Sequence, residues 1–112
     1  MPRSHGLVDL HCHILPGIDD GAGDIGDALA MARQAEADGI GVVCATPHIR
    51  HDHDVPIAEL GDRAKRLARS LVERGIAVVI EPAGEVAASA VDGLSETELR
   101  LVSFGGTGRW IL

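Results

Sequence analysis

Val8-Asp9-Leu10-His11-Cys12-His13, running on into Ile14-Leu15-Pro16-Gly17-Ile18-Asp19-Asp20-Gly21, is the stretch from which the remainder of the chain is most readily interpreted. The apolar run from Leu7 to Leu10 has strand character and ends in two histidines one residue apart. Side chains at i and i+2 of a strand project from one face. His11 and His13 therefore present two imidazoles to one point, with Cys12 turned away. Neutral imidazole is a common ligand of zinc, manganese, iron and nickel. A turn through Pro16 and Gly17 then delivers Asp19 and Asp20, whose carboxylates suit hard divalent ions. A surface loop that happens to hold two histidines would explain the pair alone. The strand before it and the acids after it favour a metal site.

Beyond this stretch, strand and helix patterns alternate. Asp24 is placed to cap a helix whose apolar positions Ile25, Ala28, Leu29, Ala32 and Ala35 recur at helical spacing to about Asp38, with Gly39 as its stop. Ile40 to Ala45 is a near-continuous apolar run, the pattern of a buried parallel strand, and leads into Thr46-Pro47-His48. A polar segment follows with Arg50, His51, Asp52 and His53. Ile57, Leu60, Ala64, Leu67, Ala68 and Leu71 form the stripe of a second helix from about Pro56 to Arg74, ended by Gly75. Ile76 to Ile80 reads as a third buried strand, leading to Glu81-Pro82-Ala83-Gly84-Glu85. Ser95-Glu96-Thr97-Glu98 has capping-box form, the glycines at 105, 106 and 108 need only make a turn, and Arg109 to Leu112 has the look of another strand opening. The expected fold is α/β, with about three βα units, a parallel sheet and right-handed crossovers.

Composition narrows the function. The chain has 112 residues, enough for one small domain or part of a larger one, and 46% of them are hydrophobic. Phe104 and Trp110 are its only aromatic residues of the Phe, Tyr and Trp class, so the core must be built of Ala, Val, Ile and Leu. A net charge of −7 removes the electrostatic case for nucleic acid or an anionic membrane. No apolar run approaches the ~20 residues of a membrane span, and the start lacks the apolar segment of a signal peptide. Cys12 and Cys44 do not make a disulfide framework and read as small buried residues; a cytoplasmic location is expected.

Chemistry collects at one end of the predicted sheet. The first strand delivers His11, His13 and the Asp pair, the second His48, the third Glu85. In βα folds the loops at the C-terminal ends of the strands are where sites are built. Arg50 is the nearest arginine and could meet a phosphate, although a surface role accounts for it better; for His51 and His53 a solvated loop and a role near substrate account for the sequence equally well. His5 reads as part of a disordered terminus.

The run Asp9-Leu10-His11-Cys12-His13-Ile14-Leu15-Pro16-Gly17-Ile18-Asp19-Asp20-Gly21-Ala22, with Ala45-Thr46-Pro47-His48 and Gly84-Glu85, resembles the PHP (polymerase and histidinol phosphatase) superfamily. Within it the sequence is most similar to the bacterial protein-tyrosine phosphatases of capsule and exopolysaccharide synthesis. The resemblance implies part of a distorted, TIM-like β/α barrel with a cluster of up to three divalent ions, usually assigned manganese, with iron, zinc or magnesium as alternatives. It implies a phosphotyrosine-bearing partner, a tyrosine autokinase, and allows oligomers. Carried across, His11 and His13 match the histidines of the first metal, Asp20 and His48 share another, and Glu85 bridges two. Asp19 is a neighbour and not a matched ligand.

Proteins of this pattern are about twice as long and add a glutamate, at least one histidine and a late Asp-x-His pair. The chain is therefore expected to be a C-terminally truncated form of one such domain, with impaired phosphomonoester hydrolysis. Two other readings remain: a PHP phosphoesterase with another substrate, such as histidinol phosphate, and a noncatalytic remnant that binds metal or a partner. An amidohydrolase barrel also carries HxH after its first strand, but accounts less economically for His48 and Glu85.

Overall fold

In a computed structural model, residues 6–52 and 54–112 are described; His5 and His53 lie outside them. The chain runs β1 (Leu7–Cys12), α1 (Ile25–Ala37), β2 (Ile40–Ala45), β3 (His48–Ile49), α2 (Leu60–Glu73), β4 (Val79–Pro82), β5 (Glu85–Val86) and α3 (Glu96–Leu101). Strands β1, β2 and β4 form a parallel sheet in that order, and β3 pairs with β5, also in parallel. The expected three βα units are present.

The two sheets are one ladder with a break. Each partner lies 37 positions further along the chain, from Val42–Val79 through to Ile49–Val86. Backbone bonds cross the break: Ala83 N–H donates to Ala45 O, Glu85 N–H to Pro47 O and Ala87 N–H to Ile49 O, at 2.9, 2.9 and 3.1 Å. Pro47 has no N–H and removes one rung, which divides the ladder in two. The consequence for chemistry is direct. His48 and Glu85 are register partners, so two chemically active residues stand side by side on adjacent strands.

Termination signals in the sequence are realised locally. The Asp24 carboxylate accepts from Asp27 N–H at 2.8 Å and caps α1. Gly39 and Gly75, at φ +83° and +70°, end α1 and α2 in the left-handed region that glycine adopts freely. Ser95 and Glu98 close a reciprocal capping box at the start of α3. Leu67 and Leu71 of α2 and Ala28 and Ala32 of α1 pack with Val43 and Ile80 in the apolar layer between helices and sheet.

Three expectations need correction. The third strand spans Val79–Pro82, not 76–80: Ile76 N–H still bonds Leu71 O, and Ala77 N–H bonds the Glu36 carboxylate at 2.7 Å, so these residues finish the helix end. The strands are not buried on both faces, because Val8, Leu10 and Val79 are each more than half exposed, and α1 and α2 cover the other side. Residues 109–112 form no strand. Glu85 and Ala87 point their N–H groups at β3, so Val86 N–H points outward. There it meets Leu112 O at 3.0 Å, one bond and not a ladder.

Candidate metal centre

Three loops converge at the C-terminal rim of the sheet, and local backbone chemistry sets each one. In β1 the pairing slips between Asp9–Val43 and Cys12–Ala45, so β1 carries one extra residue. The Asp9 carboxylate takes up His11 N–H at 3.0 Å inside this bulge. Bulges of this kind re-aim the side chains beside them. Thr46, fully buried, then ties the end of β1 to β2, its hydroxyl accepting from Cys12 N–H at 2.9 Å.

After His13 the chain folds back tightly, with Ala22 N–H on His13 O at 3.0 Å and Gly17 N–H on Ala22 O at 2.9 Å. Gly21 is demanded by this closure: a Cβ there would lie 2.0 Å from His13 O and 2.4 Å from its Cβ. Glu85 is set similarly, since a Cβ at Gly84 would stand 2.8 Å from Ile49 Cγ1.

All five residues expected as ligands come together. One oxygen of Glu85, Oε1, lies 3.0 Å from His11 Nε2, 2.9 Å from His13 Nε2 and 3.4 Å from His48 Nδ1. His11 Nε2 and His13 Nε2 are 3.3 Å apart, as side chains two residues apart on one face should be. His48 Nε2 faces Asp20 Oδ1 at 3.1 Å. Two overlapping groups result, one of His11, His13 and Glu85, the other of His13, Asp19, Asp20 and His48. Within each, the donor atoms lie within 4.8 Å of one another. The donor set, imidazole nitrogen and carboxylate oxygen, fits a first-row divalent ion. His11 Nε2 and His13 Nε2 directed at one carboxylate oxygen is an arrangement that a cation between them would satisfy.

Asp19 does something the sequence left unassigned. Its side chain is fully buried, and it accepts from His13 Nδ1 at 2.8 Å, Gly21 N–H at 2.9 Å and His48 N–H at 3.1 Å. The last bond has a simple origin. Thr46 N–H, two residues earlier, points at Cys12 O of β1. At His48 that strand has ended, and the Asp19 carboxylate stands where its next carbonyl would be. A carboxylate on Nδ1 fixes the tautomer that leaves Nε2 free to bind a metal. Two adjacent acids in a loop were visible in the sequence; that Asp19 is the buried one and orients His13 was not.

The electrostatics follow from this packing. For His13, burial favours the neutral ring, but the Asp19 hydrogen bond and the charges of Asp19, Glu85 and Asp20 outweigh it and leave the pKa raised. Burial pushes Asp19 up; hydrogen bonds from His13, Gly21 and His48 and the His13 charge prevail, and its pKa is lowered. Glu85 is lowered in the same way, desolvation being outweighed by the His11 hydrogen bond and the three imidazole charges. The thiol of Cys12 is pushed up to about 11 by burial and the Asp9 charge, so it is no nucleophile near neutral pH.

Arg50 lines a cavity of about 340 Å³ together with His48 and Glu85. Its guanidinium is held in a two-pronged pair by Asp52, at 2.9 and 2.8 Å. His51 lies in a separate cavity, its Nε2 on Ser89 O at 3.2 Å. Among the described residues, no helix is long and apolar enough to cross a membrane.

Known proteins share this arrangement of strands and helices. Residues 7–102 match the sequence profile of the family described as capsular polysaccharide synthesis, CpsB/CapC. The tyrosine-protein phosphatase YwqE of Bacillus subtilis is 40% identical over 83 residues, covering 71% of this chain and 32% of the relative. CapC of Staphylococcus aureus, whose name carries the same activity as a provisional assignment, is 27% identical over 109 residues, 88% of this chain and 43% of its own. A crystal structure from work on YwqE and on CpsB of Streptococcus pneumoniae, described as metal-dependent tyrosine phosphatases, superposes with a TM-score of 0.74 at 33% identity, over 89% of this chain and 41% of that one. The chain thus spans between 32% and 43% of the length of these relatives.

Proposed function

The chain belongs to the capsular polysaccharide synthesis family CpsB/CapC, and on that premise we propose that its rim cluster is part of the active site of a metal-dependent protein-tyrosine phosphatase. One observation carries the reading: a single carboxylate oxygen of Glu85 faces three imidazoles while a second acid, Asp20, faces the far nitrogen of one of them. His11 and His13 would hold one ion and His48 and Asp20 another, with Glu85 within reach of both pairs. A divalent ion in such a site polarises a phosphoryl oxygen and lowers the pKa of bound water.

The chain's own residues prepare that chemistry. Asp19 holds His13 with Nε2 outward; the bulge at Asp9 aims His11; Pro47 and the constant register set His48 against Glu85. Half of the His11 side chain and most of Asp20 remain exposed, so the cluster is open to a phosphate arriving from solvent. Manganese is the ion proposed, with iron, zinc or magnesium chemically compatible. A phosphotyrosine of a tyrosine autokinase is the proposed substrate, in capsule or exopolysaccharide synthesis inside the cell. Arg50, beside His48 and Glu85, is proposed to meet that phosphate once it leaves Asp52, with His51 in the same loop. The three βα units form part of a PHP-type β/α barrel, as one domain, and oligomerisation would supply further neighbours at the rim.

The direct test is metal content after dialysis against Mn²⁺, by mass spectrometry, beside a His11→Ala/His13→Ala control. The expected result is about two equivalents, as for a paired site, lost in the control. Metal no higher than in the control would overturn the reading. Phosphotyrosine peptide, and not histidinol phosphate, is expected to displace water from the loaded site in a competition assay.

A further inference from the structure

Away from the rim, the charge of this acidic chain is unevenly distributed. Four of its ten basic residues, Arg63, Lys65, Arg66 and Arg69, lie on the fourteen residues of α2, against Asp62 and Glu73. A cavity of about 430 Å³ runs along that helix, lined by three arginines, Arg63, Arg66 and Arg69, against one acid, Glu73, with Pro16 and Ile25 also in its wall. Pro16 belongs to the loop that carries Asp19 and Asp20, so the groove begins at the rim. Arg63 is held only by Glu59, at 3.2 Å, and its Nε is buried with no hydrogen-bond partner among the described residues. A buried donor left unpaired is destabilising, and a turn of the guanidinium into the groove would let an oxyanion accept from Nε and a terminal nitrogen together. Arginine forks match phosphate geometry better than lysine, and three of them stand here.

We propose that this groove between α1 and α2 is an accessory site for a phosphate-bearing segment of a protein substrate, held on α2 while a phosphotyrosine of the same chain reaches the rim. The identity of the ligand rests on the phosphatase reading; the groove does not. Charge complementarity selects the occupant: a basic groove on a chain of net charge −7 attracts phosphorylated peptide and not an acidic partner at large.

The test uses a fluorescein-labelled peptide bearing two phosphotyrosines, with anisotropy read on metal-free protein in EDTA so that the rim contributes no ion. Arg66→Gln/Arg69→Gln and Arg66→Glu/Arg69→Glu are expected to weaken binding roughly tenfold or more, one lost charged pair being sufficient for that factor. Arg33→Glu/Arg109→Glu, exposed arginines outside the groove, is expected to change it about twofold at most through general charge. His11→Ala/His13→Ala is expected to bind the peptide as the parent does. Circular dichroism reports folding of each, and the neutral Gln pair serves if the Glu pair does not fold. Equal losses from the groove pair and the control pair, or no binding by the parent, would overturn the proposal. So would inorganic phosphate competing at the peptide's own concentration, which would leave a bare anion site. Failure of the phosphatase reading would show instead as absent metal with peptide binding intact.

Discussion

The helix-facing layer and the rim cluster are built from the same strands by opposite physics. Between the sheet and α1 and α2, Val43, Ile80, Leu67 and Leu71 are held by burial alone, without a charge among them. At the rim a few residues further along, six ionisable side chains crowd together, and hydrogen bonds hold Asp19 and His13 in place. Packing is insensitive to protons and ions; the rim answers to both. Substitutions in the first region should therefore move stability, and in the second, affinity.

Leu71→Ala should give the largest effect. Leu71 is fully buried, and removing its isobutyl group should destabilise the chain by about 2–5 kcal/mol, read as a lower denaturant midpoint. Leu10→Thr, on the exposed face of β1, should change the midpoint by less than about 0.5 kcal/mol. Similar losses from both would mean that the open face is covered in solution and would break the contrast.

Asp19→Asn tests the other half. The amide keeps the shape but gives up the charge, and it can point a donor at His48 N–H. Mn²⁺ affinity by calorimetry should fall roughly 10–100-fold, the range for partners that orient a ligating histidine. Unchanged affinity would show that His13 is oriented by something else. Ser95→Ala, far from the rim, should cost about 1 kcal/mol through the lost cap of α3 and leave metal affinity unaltered.

How much of this was legible in the sequence divides along the same line. Helix periodicity and stops were clear because each rests on local chemistry: Asp24 caps, Gly39 and Gly75 end. The convergence of His11, His13, His48, Asp20 and Glu85 was legible because all follow predicted strands on one rim. What covers a strand is not local, and Val8 and Val79 gave no sign that their face would be open. Ile76 to Val78 were apolar enough for a strand, but the end of α2 and the Glu36 carboxylate claimed their backbone first. Asp19 and Thr46 were hidden for a related reason: each acts by hydrogen bonds to a strand that sequence alone places only approximately.

The smallest effect in free energy, and the most specific, is the pH dependence of the metal-free protein. Asp19 and Glu85 have lowered pKa values in the folded state, so their stabilisation is present above the unfolded value near 4 and is lost as pH falls through the folded values. His13 is raised, so its contribution is complete below about 6.5 and is lost as pH rises through its folded pKa. The cluster should therefore stabilise the metal-free chain most between about pH 4 and 6.5, and less by pH 8. Metal binding should run the other way. An ion needs neutral imidazole, and the raised pKa of His13 keeps a competing proton in place toward neutrality. Mn²⁺ affinity should rise from pH 5 to pH 8 while the metal-free denaturation midpoint falls above 6.5, and Asp19→Asn should flatten both trends. The helix-facing layer has no group that titrates in this range, so a midpoint that tracks pH in Asp19→Asn as in the parent would place the sensitivity outside the rim.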